Sequence, residues 1–218
     1  MSDKKSEDNL TNKNSDSTTY LRYKRLFDVI SAVTGLVILS PLLLLVAILI
    51  KIDDPSGPVF YSQIRVGKNE SEFRMYKFRS MYNDADKRLK KLLQYNEVDG
   101  AMFKMKEDPR ITRVGKIIRK YSIDEIPQLW NVIKGDMTVV GPRPALPREI
   151  TQYTDHDRQR LVVKPGCTGL WQVGARSAVG FDEMVRLDLE YIRTRNTWLD
   201  IKIMFKTVKI MIIPNETA

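Results

Sequence analysis

The chain has one cysteine, Cys167, and one histidine, His156. A disulfide framework is therefore excluded, as is a zinc site built from several Cys and His ligands. So little cysteine suits a reducing compartment. No Gly-x-x-x-x-Gly-Lys-Ser/Thr run and no Gly-x-Gly-x-x-Gly run occurs, so neither a P-loop nor a Rossmann dinucleotide site has support. Residues 29–50 contain no charge at all. Residues 1–19 hold a single Leu10 among Ser, Asp, Asn, Thr and Lys, which is too little apolar surface to build a core. They read as a disordered polar tail over 1–20. An acidic polar stretch ahead of the apolar run, with no small-residue cleavage site behind it, is not a signal peptide.

What is present is basic and unevenly apolar. The net charge is +9, and the first 20 residues sum to −1, so the remainder carries +10. Such a body favours anionic partners: phosphates, acidic lipid or nucleic acid. The 22 uncharged residues Val29 to Ile50 make about 33 Å of helix, enough to cross a bilayer core. Ser40-Pro41 falls mid-run, where proline removes a helical hydrogen bond and clashes with the preceding turn. Both flanks are basic, with Arg22, Lys24 and Arg25 before and Lys51, Arg65 and Lys68 after, so the positive-inside bias does not send the two ends to opposite sides. A helix–break–helix over 21–52 that dips into one leaflet satisfies both observations. A kinked single span remains open.

From Asp53 the pattern becomes that of a soluble domain, 53–213, ahead of a short tail, 214–218. Val59–Tyr61 and Phe73–Phe78 read as strands joined through a turn at Gly67-Lys68-Asn69. Helices are expected over Asn83–Gln94, over the stretch placing Val114, Ile117, Ile118 and Tyr121 on one face, and over Asp124–Lys134 up to Gly135. Proline is tolerated only in a helix's first turn, so Pro127 places Asp124 and Glu125 at that helix's N-terminus. Residues 141–147 and 164–176 read as loops. Phe181–Arg195 and Leu199–Ile213 close the chain as helices. In the last, Lys202, Lys206 and Lys209 form one stripe among Ile, Met, Phe and Val, with Trp198 ahead. That pattern suits a membrane surface, or an ordinary domain helix with a solvated lysine face.

The chemistry-bearing candidates are few. A carboxylate at a helix N-terminus stays ionised and can serve as a nucleophile, and the same location attracts phosphate. Asp124 and Glu125 are also plain capping choices. Lys104, Lys106, Arg110, Arg113, Lys116, Arg119 and Lys120 precede them and would draw in an anion. Arg143 stands between Pro142 and Pro144, which fix its backbone for phosphate recognition. Lys77 and Arg79 share one face of a strand, toward a diphosphate or toward water. Asp188 has apolar neighbours and is either a metal ligand or the buried partner of an arginine. His156, between Asp155 and Asp157, reads as solvated, and Cys167 as structural.

A set of runs, in order along nearly everything after Tyr20, resembles the bacterial sugar transferase family, the monotopic phosphoglycosyl transferases. They are Lys24-Arg25-Leu26-Phe27-Asp28, Leu39-Ser40-Pro41, Gly57-Pro58-Val59-Phe60-Tyr61, Arg65-Val66-Gly67 and Tyr76-Lys77-Phe78-Arg79-Ser80-Met81. Further on come Arg119 to Leu129, Lys134-Gly135-Asp136-Met137, Gly141-Pro142-Arg143-Pro144, Lys164-Pro165-Gly166 and Thr168 to Val173. The resemblance implies an α+β, mostly helical fold. It would have an N-terminal re-entrant membrane helix broken at Ser40-Pro41, a small cytosolic catalytic domain and amphipathic interfacial helices. It implies transfer of a hexose phosphate from a UDP-sugar to undecaprenyl phosphate, with Asp124 as nucleophile and UMP as leaving group. Mg²⁺ would be held by Asp124, Glu125 and Asp188. Lys77, Arg79, Arg119, Arg143 and Arg176 would meet phosphates. The location is the cytoplasmic face of the bacterial inner membrane, among its lipids, with a homodimer allowed and no nucleic acid partner. The product would begin exopolysaccharide or lipopolysaccharide synthesis.

The Leu170-Trp171-Gln172 and Leu187 to Ile192 runs resemble members using galactose or glucose, with N-acetylated or diamino sugars second. One departure is Gly174-Ala175-Arg176, where relatives tend to carry Ser-Gly-Arg or Asn-Gly-Arg. By the resemblance, the chain is expected to be the minimal catalytic form, without the multi-span N-terminal extension of larger relatives. The competing class is a basic, membrane-tethered binding protein without activity. Aromatic residues do not interleave with the cations of 104–120, as a single-strand stacking surface requires.

Overall fold

The computed structural model describes residues 18–92, 105, 108–174 and 180–213. The polar tail through residue 17, Lys104, Lys106, Arg176 and the tail 214–218 lie outside them. The fold is α+β and mostly helical.

Helix α1, Thr18–Asp53, is 36 residues long and starts ahead of the expected residue 21. It is long and apolar enough to cross a membrane, and only 11% of its most apolar window is buried against the rest of the protein. A core helix of a soluble protein would be covered; here Val37, Ile38, Leu44, Leu45, Ile48 and Ile52 are all exposed.

The expected break at Ser40-Pro41 is not an interruption: the helix continues through both residues. The reason is local. Pro41 has no N–H to give the carbonyl four residues back, which is that of Val37. The Ser40 hydroxyl donates to that same carbonyl at 2.8 Å. An orphaned carbonyl away from water costs several kcal/mol, so the serine makes a mid-helix proline tolerable.

Both ends of α1 are tied to the domain by polar contacts. Near its start, Arg25 donates to the Val132 and Ile133 carbonyls at 2.6 and 2.8 Å. Lys24 pairs with Asp200 at 2.7 Å. Asp28 accepts from the Thr138 hydroxyl at 2.5 Å and the Val139 N–H at 3.0 Å. At its end, Asp53 accepts from the Val114 N–H at 3.0 Å. Between them Val46 and Ile50 pack on Phe78 and Ile118.

Strands β1 (Phe60–Val66) and β2 (Glu72–Phe78) form the expected antiparallel hairpin, longer than read, with Phe60 opposite Phe78 and Val66 opposite Glu72. Helix α2 follows at Ala85–Leu92 and α3 at Arg113–Lys120. Ile117, expected inward, is exposed; α3 packs through Ile118 and Gly115 instead. Its face is set by Gly115, where a Cβ would meet the Ser80 carbonyl oxygen at 2.0 Å.

A 3-10 turn, Ile123–Glu125, precedes α4, Gln128–Lys134. Strands β3 (Thr138–Val140) and β4 (Gly166–Thr168) pair in parallel; β4 lies inside the stretch 164–176 read as a loop, and β3 just ahead of the loop read over 141–147. The backbones approach so closely that a Cβ on Gly166 would lie 2.1 Å from Gly141 N. Short helices α5 (Pro147–Ile150), α6 (Asp155–Arg158) and α7 (Leu170–Gly174) lead to α8 (Phe181–Thr194) and α9 (Thr197–Ile212). The core gathers Ala32 of α1 with Val132, Met137, Val140, Val185, Leu189, Ile192 and Ile203. On α9 Trp198, Phe205, Val208 and Ile212 are exposed beside Lys202, Lys206 and Lys209.

Candidate active site

Asp124 and Glu125 do not open an α-helix. They sit one turn earlier, in the 3-10 turn, and Pro127 caps α4. The i→i−4 ladder cannot pass through Pro127, which has no N–H. The chain takes i→i−3 bonds instead, with Glu125 N to Ser122 O and Ile126 N to Ile123 O at 3.2 Å. Ser122 adopts the left-handed region, φ 54° and ψ 24°, at a cost of order 1 kcal/mol. That reversal lets the chain leave α3 and turn Asp124 inward.

A cavity of about 570 Å³ lies at this point, lined by Asp124, Glu125, Lys77, Arg119, Arg143 and Arg65, and farther along by residues of α1 and α9. Asp124 is 8% exposed. Burial, then the charge of Glu125, pushes its carboxyl up to about 6, against the pull of Lys77 and Arg119. At pH 7 it is still mostly ionised. Lys77 pairs with Glu125 at 2.5 Å. Arg143 reaches Glu149 at 3.4 Å, and Glu149 also accepts from the Leu146 N–H.

The other expected site residues lie elsewhere. Arg79 follows the last residue of β2, so strand alternation no longer governs it. Its guanidinium is buried against the Asp54 carboxylate at 2.7 Å and the Asp54 carbonyl at 2.5 Å, away from the cavity. Asp188 is 1% exposed and paired with Arg160, which is equally buried. Burial pushes Asp188 up to about 6, opposed by Arg160. Arg160 also donates to the Arg143 carbonyl at 3.2 Å and the Tyr153 hydroxyl at 3.0 Å. Asp188 is thus the buried arginine partner of the two readings, and it braces the loop carrying Arg143. Cys167 faces the cavity, with its thiol pushed up by burial and so kept protonated. His156 is exposed.

Arg65 is a cavity residue that the sequence reading did not single out. It is 8% exposed, donates to the Pro144 carbonyl and the Gln63 side chain at 3.0 Å, and keeps a buried Nε with no acceptor among the described residues. Burial first, then Arg143, lowers it to about 10. A desolvated guanidinium beside another cation suits a cavity that receives anions. Trp171 likewise brings a buried indole N–H without an acceptor among the described residues.

Among the described residues no three His, Cys, Asp or Glu side chains cluster as a metal site. Asp124 and Glu125 nevertheless fit Mg²⁺. They are adjacent hard-oxygen donors whose mutual repulsion a cation would relieve, and Mg²⁺ typically takes one or two carboxylates plus substrate phosphates.

The family model described as bacterial sugar transferase matches residues 19–214. The chain is similar to the galactosyl transferase CpsE of Streptococcus agalactiae, 46% identical over 198 residues, covering 89% of this chain and 43% of the relative. It is 44% identical over 193 residues to the undecaprenyl-phosphate galactose phosphotransferase of Salmonella typhimurium, covering 87% and 40%. It is 41% identical over 189 residues to the exopolysaccharide production protein ExoY of Rhizobium meliloti, covering 85% and 83%. The chain thus spans about two fifths of the first two relatives and most of the third.

Proposed function

The chain belongs to the bacterial sugar transferase family, and on that premise we propose that it moves a hexose phosphate from a UDP-sugar to undecaprenyl phosphate through a covalent aspartyl intermediate. The observation that carries the reading is Asp124: a buried carboxylate at the wall of a cavity holding Lys77, Arg119, Arg143 and Arg65. The relatives' names point to galactose or glucose as the sugar, with an N-acetylated hexose as the second reading.

The Asp124 carboxylate oxygen bonds to the β-phosphorus as the bond to the UMP oxygen breaks. The acceptor's phosphate oxygen then bonds to the same phosphorus, and the bond to Asp124 breaks. Asp124 is returned and the lipid diphosphosugar leaves. Lys77 and Arg119 offset charge near the nucleophile, and Arg65 and Arg143 offer forks to phosphate oxygens. Mg²⁺, held by Asp124 and Glu125, would neutralise charge on the diphosphate. Trp171 offers a donor to a sugar hydroxyl.

Both ends of α1 bond to one domain. This supports a re-entrant arrangement with α1 bending at Pro41 while staying helical. The basic residues at both ends favour the cytoplasmic face. In a straight span, Arg25 and Asp53 would stand about 42 Å apart, on opposite faces of the bilayer. Cysteines introduced at Tyr20 and Ser56 should both resist an impermeant thiol reagent in intact cells. Labelling of only the first would establish a full span.

The test of the function is UMP release from a panel of UDP-sugars with purified protein, undecaprenyl phosphate and Mg²⁺. Release above background only with galactose or glucose donors is expected. No release from any donor, together with salt-sensitive oligonucleotide binding, would favour a binding protein instead.

A further inference from the structure

The cavity has two unlike ends. Beyond the carboxylates its walls come from α1 and α9. Ser31, Gly35 and Leu39 stand at i, i+4 and i+8 on α1, and Met204, Val208 and Met211 at i, i+4 and i+7 on α9. These spacings put each set on a single helix face, so two stripes line one space. The α1 stripe is about 12 Å long by helical rise. Gly35 keeps the wall open: a Cβ there would already lie 3.1 Å from Leu129 Cδ1. The methionines are unbranched and adapt to irregular apolar surfaces. Of the lining residues on α9, Val208 is exposed at the surface.

We propose that this groove between α1 and α9 grips the phosphate-proximal isoprene units of the acceptor lipid and delivers its phosphate to Asp124, with Gly35 setting the width of the passage. The inference rests on the acceptor chemistry proposed above. An amphiphile with an anionic head needs a polar end and an apolar exit in one cavity, and the rest of a long chain remains in the bilayer. A groove this short reads the first units and ignores the distal ones. The sugar donor has no apolar tail to place there, so its half-reaction does not depend on the groove.

Two variants test this. Gly35→Leu narrows the passage, and Val208→Trp crowds it from a half-exposed position that tolerates bulk. Each is measured in exchange of labelled UMP with UDP-sugar without lipid, and in transfer to undecaprenyl phosphate and to geranyl phosphate. The exchange rate should stay within about twofold of the parent, and the KM for both acceptors should rise about tenfold, the effect of a misfitted methylene group or more in an apolar pocket. An unchanged acceptor KM in both variants, or exchange falling in step with transfer in both, would overturn the proposal.

A second readout needs no turnover. In the Asp124→Asn protein, a photoreactive prenyl phosphate should label peptides containing residues 31–39 and 204–211, and unlabelled undecaprenyl phosphate should compete. Labelling spread over the outer face of α1 without competition would show simple membrane partition and overturn the groove. If the parent exchanges UMP with no UDP-sugar, the functional reading fails by itself, and the labelling pattern still decides for or against the groove.

Discussion

Asp124→Asn should lower UMP release by about 10⁴-fold or more while leaving the melting curve intact. An amide oxygen cannot replace the carboxylate as a nucleophile, and losing the nucleophile of a covalent mechanism costs several powers of ten. The substitution keeps the size of the side chain and removes a charge that burial and Glu125 already disfavour, so folding is spared. Glu125→Gln should also be strongly impaired, because Lys77 would lose its 2.5 Å partner and the cavity would lose one of its two carboxylates. Turnover near the parent rate in Asp124→Asn would remove the aspartate from the mechanism.

Arg160→Met should destabilise the domain by about 3–5 kcal/mol, because it leaves Asp188 buried without its partner. For a domain of this size that is a fall in Tm of roughly 10 °C. The double change Arg160→Met with Asp188→Leu should recover most of the loss, since an apolar pair of similar volume does not need the ion pair's desolvation repaid. Activity should stay low in both, because the Arg143 carbonyl loses its donor and the loop holding Arg143 loses its brace. Thermal melts of the three proteins check this. A single variant as stable as the parent would mean that the pair does not hold this region together.

These two cases also mark what a sequence can carry. Asp188 among leucines and valines signals burial. Its partner, Arg160, is 28 residues away, and nothing local distinguishes it from other arginines. The long helix is legible because 22 uncharged residues have few other uses, and the hairpin because β-branched and aromatic residues flank a turn. The parallel pair β3–β4 is not legible. Each strand has three residues, and their pairing is decided by the close approach of Gly141 and Gly166, a tertiary event.

Proline misleads twice, for opposite reasons. At Pro41 the helix survives because Ser40 serves the orphaned carbonyl. At Pro127 the helix starts later than expected, because a 3-10 turn takes the bonds the proline cannot continue. In the candidate site, Lys77, Arg119, Asp124, Glu125 and Arg143 converge on one cavity. Arg79 does not, because β2 ends one residue before it. Arg65 arrives through the register of β1 against β2 and its bond to Pro144, neither of which has a local signature.

The central claim is that a sugar phosphate rests covalently on Asp124 before any lipid takes it. Intact-protein mass spectrometry after incubation with Mg²⁺ and UDP-galactose or UDP-glucose, without acceptor, tests it most directly. The parent should gain the mass of one hexose phosphate, lose it on adding undecaprenyl phosphate or hydroxylamine, and show the adduct on the peptide containing Asp124; Asp124→Asn should gain nothing. UMP release that requires the lipid, with no adduct on the parent protein, would contradict the account.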